Sequence, residues 1–139
     1  MRYMMIVSGS ESFAASGPPP AALFEAIDRL GAEATRNGTM VGFGGLQPSS
    51  SGARMRVTDG EIVTTDGPFT ESKEVIGGFS ILNVASKSEA LEEARRFMEL
   101  HRVHWPAWEG EIEIRLMYEE EDDVRVAQIE GSRNLEPAG

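Results

Sequence analysis

The sequence predicts an α+β domain with two helices. Three observations predict it. Apolar residues recur at helical spacing in two stretches, Leu23–Ala34 and Ala90–Met98, with extended segments between them. Two short runs, Tyr3–Val7 and Val75–Val84, are apolar in both of their alternating sets. The pair Asp59-Gly60 stands between two strand-like segments, which is a strong hairpin signal.

In Tyr3–Val7, Tyr3, Met5 and Val7 form one set and Met4 and Ile6 the other. A strand apolar on both sides is a central one, covered on both faces. Ser16-Gly17-Pro18-Pro19-Pro20 then breaks the chain. In the first helix Leu23, Ile27, Leu30 and Ala34 make the apolar stripe. Asn37-Gly38 stops it, with Gly38 supplying the left-handed cap. With Thr39 the pair also matches a glycosylation sequon, and the cap is the preferred reading.

Thr39–Leu46 reads as a second strand. Gly42, Gly44 and Gly45 remove side chains from it, which predicts a bulge or a close backbone approach. A phosphate cradle is disfavoured because no helix N-terminus follows. Gln47–Gly52 is a polar loop. Around Asp59-Gly60 the register pairs Thr58 with Glu61, Val57 with Ile62 and Met55 with Thr64, leaving Arg54 and Arg56 on the other face beside Thr65 and Val63.

Asp66-Gly67-Pro68-Phe69 reads as a turn. In Val75–Val84, Phe79 and Ile81 line one face and Leu82 and Val84 the other, with Gly77-Gly78 near the start. Ser86-Lys87-Ser88-Glu89 is a capping box opening a helix that buries Ala90, Leu91, Ala94, Phe97 and Met98. That helix ends near His101–His104. In Glu111–Met117, Ile112, Ile114 and Leu116 share one face, and Glu111, Glu113 and Arg115 the other. The order β-α-β-(β-hairpin)-β-α-β is that of a ferredoxin-like α+β sandwich with an extra hairpin. Both helices then lie on one face of the sheet. The other apolar face calls for a cover, and a second copy of the chain is the simplest one.

With 139 residues the chain makes one domain; 40% apolar and 26% charged residues are globular values, sufficient for a packed core. The net charge of -10 and the lack of a basic stripe argue against nucleic acid. No apolar run approaches the roughly 20 residues of a membrane helix. No signal segment is expected at the N-terminus, and the expected location is the cytoplasm. Without cysteine, disulfides and thiol chemistry are excluded. The folded domain is expected over 1–118. Residues 119–139, with seven acids and two bases, read as an acidic, weakly ordered tail.

The segment Asp66-Gly67-Pro68-Phe69, followed by Glu71, Lys73-Glu74 and Gly77-Gly78-Phe79, resembles the signature of the YCII-related proteins with a DGPF motif. Met1-Arg2-Tyr3-Met4, Gly45-Leu46-Gln47-Pro48 and Glu113-Ile114-Arg115 fit the same pattern. So does His101–Pro106 with Trp108–Glu111, which resembles one subgroup. The resemblance implies a dimeric α+β barrel with a cleft between sheet and helices or between subunits. It also implies gene neighbourhood with extracytoplasmic-function sigma factors. The activity of such proteins is unassigned, so whether this chain is an enzyme stays open.

Each candidate residue carries two readings. The Asp66–Phe69 turn is either a stiff structural corner or a loop holding the Asp66 carboxylate and the Phe69 ring at a cleft mouth. Glu71, Lys73 and Glu74 are either surface ion pairs or, near a cleft, acid/base or anion-binding groups. His101 and His104 are the only histidines. The preferred reading is a helix-end cation, the alternatives being acid/base work by one of them or a metal site needing a third ligand. Trp105, Trp108 and Phe69 suit core or dimer packing better than a cofactor box. Arg115 is expected in an inter-strand or inter-subunit ion pair, with anion binding as the alternative.

The resulting expectation is a homodimer that binds a small molecule without metal or cofactor. Asp66 or His101 serves as acid/base; Phe69, Lys73, Glu74, Phe79 and Arg115 bind the ligand. The alternative is a non-enzymatic regulatory partner of a sigma factor.

Overall fold

The computed structural model describes residues 1–10, 17–69 and 75–119. The elements follow the expected order: β1 (Arg2–Gly9), α1 (Ala21–Arg36), β2 (Met40–Gly45), a 3-10 turn (Ser49–Ser51), β3 (Ala53–Thr58), β4 (Glu61–Asp66), β5 (Val75–Asn83), α2 (Lys87–His104) and β6 (Glu111–Leu116). Four strands form an antiparallel sheet in the order β2-β5-β1-β6, and β3 and β4 form a separate hairpin. Each helix crosses from one strand to a strand two places away. This is the ferredoxin-like α+β fold.

Tyr3 and Met5 of β1 and Ser80 and Leu82 of β5 are buried and lie opposite one another in register. They belong to a single face. The helices touch each other and the sheet, so they cover that face. The core forms around Tyr3, Leu82, Val84 and Ala90, with Met40 and Ile114 at its margin. Leu23 and Leu82 are fully buried, each contributing about 1.5–3 kcal/mol.

Helix α1 starts behind Pro20 and stops at Asn37. Gly38 follows at φ +80, a left-handed residue that suits glycine. Helix α2 is capped by Ser86, whose side chain accepts from the Glu89 N–H at 3.2 Å. The Glu89 carboxylate reaches back one residue beyond the expected position and accepts from the Ala85 N–H at 2.9 Å. The buried stripe of α2 runs through Ala90, Ala94 and His101. Leu91, expected inside, is exposed because it sits about 100° round the helix from Ala90.

The glycines act where the pattern suggested. Gly77 has no partner in β1 between the Val7–Gly78 and Ser8–Ile76 pairs, so β5 bulges there. Val41 is the extra residue in β2, between Met40 and Gly42. A Cβ on Gly78 would lie 3.1 Å from the Gly44 carbonyl oxygen, so the two strands approach closely here and a side chain would need the backbone to give by a few tenths of an ångström. The hairpin has the predicted register, turning through Asp59 (φ +52) and Gly60 (φ +77). Two positive φ values in succession match the right-handed twist of its strands.

The hairpin strands pack substantially only on each other among the described residues. Glu119 accepts from the Arg2 N–H at 3.0 Å. The rest of the acidic segment expected as a tail lies outside the described residues. Among the described residues, no helix is long and apolar enough to cross a membrane.

Candidate functional site

The face of the sheet away from the helices carries two of the predicted residues. In register across β5, β1 and β6, Phe79 lies beside Ile6 and Ile6 beside Glu113; Ile81 lies beside Met4 and Met4 beside Arg115. Met4, Ile6, Phe79 and Ile81 are only half-buried. The Phe79 ring lies flat enough to occupy the room that a Cβ on Gly44 would take, 3.1 Å from its Cε1. Arg115 Nε is 3.1 Å from Glu113 Oε2. The cation is thus paired with a residue two places away on its own strand, not across strands. Both groups are well exposed, so the pair itself stabilises little.

Asp66 ends β4 opposite Ala53 and is exposed. Just beyond it the chain docks on the 3-10 turn. The Gly67 N–H donates to the Gly52 carbonyl at 2.8 Å, and the Phe69 N–H donates to Ser49 Oγ at 2.9 Å. Ser49 is buried. A Cβ on Gly67 would fall 1.7 Å from the Ser49 carbonyl oxygen, so only glycine fits. The Gly67–Pro68 bond is cis. The Arg54 guanidinium lies 4.0 Å from the centroid of the Phe69 ring, so one face of that ring holds a cation.

His101 lies in the helix layer, across the sheet from Phe79 and Arg115. It is buried between Phe97, with ring centroids 4.6 Å apart, and Trp108, with centroids 4.3 Å apart. Its Nδ1 is 3.0 Å from the Phe97 carbonyl oxygen. That acceptor assigns the Nδ1–H tautomer to the neutral ring and leaves Nε2 as its basic nitrogen. Burial pushes the imidazole below its ordinary pKa, and the bond to Phe97 only partly opposes this. The expected helix-end cation is therefore corrected: His101 meets a late carbonyl, but as a neutral ring. His104 lies one turn on and is half-exposed. Among the described residues, no three His, Asp or Glu gather as a metal site.

No contact joins Asp66, His101, Phe79 and Arg115 among the described residues. They are nonetheless related by topology. Gly9 pairs with Val75, Ser8 with Glu111 and Gly45 with Gly78. The C-terminal ends of β1 and β2 thus meet the N-terminal ends of β5 and β6. The Asp66–Phe69 turn precedes β5 in sequence, and Trp108 reaches this end of the sheet, its Nε1 3.7 Å from the place of a Gly9 Cβ. Lys73 and Glu74, with Glu71, lie outside the described residues, immediately ahead of β5. A groove of about 480 Å³ along α1, between Asp28, Gly31, Thr35, Arg36 and Phe43, borders none of the predicted residues.

A family model for the YCII-related domain matches residues 1–99. The chain belongs to the YCII-related family. The match takes in β1 to most of α2, including the Asp66–Phe69 turn and Phe79. His101, Trp108 and Arg115 lie beyond it. An uncharacterised protein of Rhizobium meliloti (strain 1021) is 44% identical over 50 residues, which cover 36% of this chain. The chain spans only 40% of that relative's length in the match.

Two site features were missed in the sequence. Ser49 sat in an unremarkable polar loop and gave no signal. Gly110 was passed over, yet its lack of a side chain gives Trp108 its place: a Cβ there would be 1.7 Å from Trp108 Cζ2.

Proposed function

We propose that this YCII-related chain acts in the cytoplasm as a homodimer, its two open sheet faces apposed as in an α+β barrel around a cleft for a small organic molecule. The observation that carries this reading is the Met4–Ile6–Phe79–Ile81 face. Four apolar side chains lie there, with no helix over them among the described residues, beside the ionic Glu113–Arg115 edge. Apposing two such faces removes the apolar surface from water, at about 25 cal/mol per Å². It leaves a lined space at the sheet end from which β5 starts, the end that follows the Asp66–Phe69 turn in sequence. The usual composition of a small-molecule site is an apolar wall with few polar groups.

In that space Phe69 and Phe79 form the wall. Arg115, Lys73 and Glu74 hold the polar end of the ligand, with the two cations suited to an organic anion. The chemistry this set supports is metal-independent proton transfer of isomerase or lyase type. Asp66 is the accessible acid/base group. His101, buried between Phe97 and Trp108 on the helix side of the sheet, stands outside this space.

The test is a thermal-shift screen of metabolites, organic acids included, on the wild type and Lys73→Ala. A compound that raises the melting temperature of the wild type and not of the variant supports the reading. A compound that stabilises both equally removes Lys73 from the site. If no compound stabilises the wild type and a pull-down retains a sigma factor, the regulatory reading replaces this one.

A further inference from the structure

The homodimer reading leaves one surface of the chain unassigned. Met55, Val57 and Ile62 share one face of the β3–β4 hairpin, and they are 75%, 74% and 72% exposed. Three neighbouring apolar side chains held this far in water are unusual for a hairpin that has no other strand beside it among the described residues, because two strands alone are marginal. The hairpin is also fixed at its root. Ser49 and Gly52 hold the Gly67–Phe69 segment, Arg54 rests on Phe69, and Gly67 admits no side chain. It is built as an arm.

We infer that this arm clasps a second copy of the chain, laying Met55, Val57 and Ile62 along the margin of the partner's open sheet face, where Gly42 and Gly44 of β2 lie beside Ile81 and Phe79, and closing the side of its cleft. The inference rests on the homodimer reading and adds to it a residue source: each cleft is incomplete without the other protomer's hairpin.

Three considerations select a second copy as the occupant. An isologous pair covers both uncovered apolar surfaces of each chain in one step, the arm and the Met4–Ile6–Phe79–Ile81 face, whereas a foreign partner on the arm leaves the sheet bare. The area is adequate. At roughly 100 Å² for each side chain, two arms and an equal area of sheet beneath them come to about 1,200 Å², the lower edge of a stable specific interface. The third is chemical match. The centre of the arm face meets the sheet through aliphatic and thioether groups on one side and aliphatic, thioether and aromatic groups on the other, with the charges at the margins: Asp66 at the arm's root and the paired Glu113 and Arg115 at the sheet edge.

Two chains of net charge -10 repel one another at long range, so an interface of this kind tightens as salt screens them. A basic partner seated on the arm would show the reverse.

The experiment measures self-association of full-length wild type and of the double variant Val57→Asp/Ile62→Asp by sedimentation equilibrium at two salt concentrations. Circular dichroism checks that the variant keeps its fold. In parallel, Val57→Cys protein is mixed with Ile81→Cys protein and joined with a short thiol-reactive crosslinker, which reports on these two positions alone because the chain has no cysteine of its own. The expected result is a dimer that tightens with salt, is weakened at least about tenfold by the double variant, and crosslinks 57 to 81 between chains. A dimer of unchanged affinity in the variant, or one without the 57–81 crosslink, overturns the clasp and leaves the homodimer reading standing. A wild type that stays monomeric overturns both.

Discussion

The indole of Trp108 lies against the imidazole of His101, their centroids 4.3 Å apart and their planes tilted by 39°. With Phe97 on the histidine's other side, the stack removes a titratable ring from water at the end of α2. Its consequence is a pH dependence. The unfolded chain takes up a proton on this ring near the ordinary histidine pKa of about 6.5, whereas burial lowers the folded value. The stability contributed by the neutral ring is therefore complete above the unfolded value and is lost as the pH falls from there through the folded one. Denaturant unfolding of wild type and His101→Phe between pH 8 and pH 5 checks this. The wild type loses more stability over that interval than the variant, which keeps the stacking and lacks the proton.

Gly110→Ala tests how the stack is held. Its Cβ would collide with the Trp108 ring, so the indole moves off His101. The expected result is that the His101 titration followed by NMR rises towards the ordinary value, with a lower melting temperature.

Gly67→Ala separates the Asp66–Phe69 turn from the 3-10 turn, because the clashing atoms are the Ser49 carbonyl group and not a movable side chain. A loss of about 1–3 kcal/mol is expected, read as a lower denaturant midpoint. Hydrogen exchange should quicken in β3 and β4, whose root is then loosened.

Ser80 offers a gain. Its hydroxyl is buried on the helix side and has no hydrogen-bond partner among the described residues. Ser80→Ala removes the desolvated group without adding volume, so stability rises by about 1 kcal/mol, visible as a melting temperature higher by a few degrees.

Much of the fold could be read because its determinants are local. Asp59-Gly60 determines the hairpin register pair by pair, since the turn counts residues and the strand period is two. Gly38 and Ser86 mark helix ends through their own backbone and side chains. The alternation in Val75–Val84 told the two faces of the sheet apart. The site was harder because its contacts depend on loop paths. Whether Phe69 meets Arg54 or a cleft depends on how the Ser49 turn folds beneath it. Whether His101 is a cation depends on Trp108 returning over it, which depends on Gly110. For Arg115 the alternation suggests an inter-strand or inter-subunit ion pair, whereas Glu113, two places away on the same strand, is the partner within reach.

The most direct test of the central claim is the mass in solution of the wild type and of Ile81→Lys, measured by sedimentation equilibrium across micromolar concentrations. Apposed sheet faces predict a wild-type species of twice 15.1 kDa and a folded Ile81→Lys chain that is monomeric, because the lysine would place a charge in the middle of the covered face. A wild type that remains at 15.1 kDa throughout, or a dimer indifferent to Ile81→Lys, would contradict it.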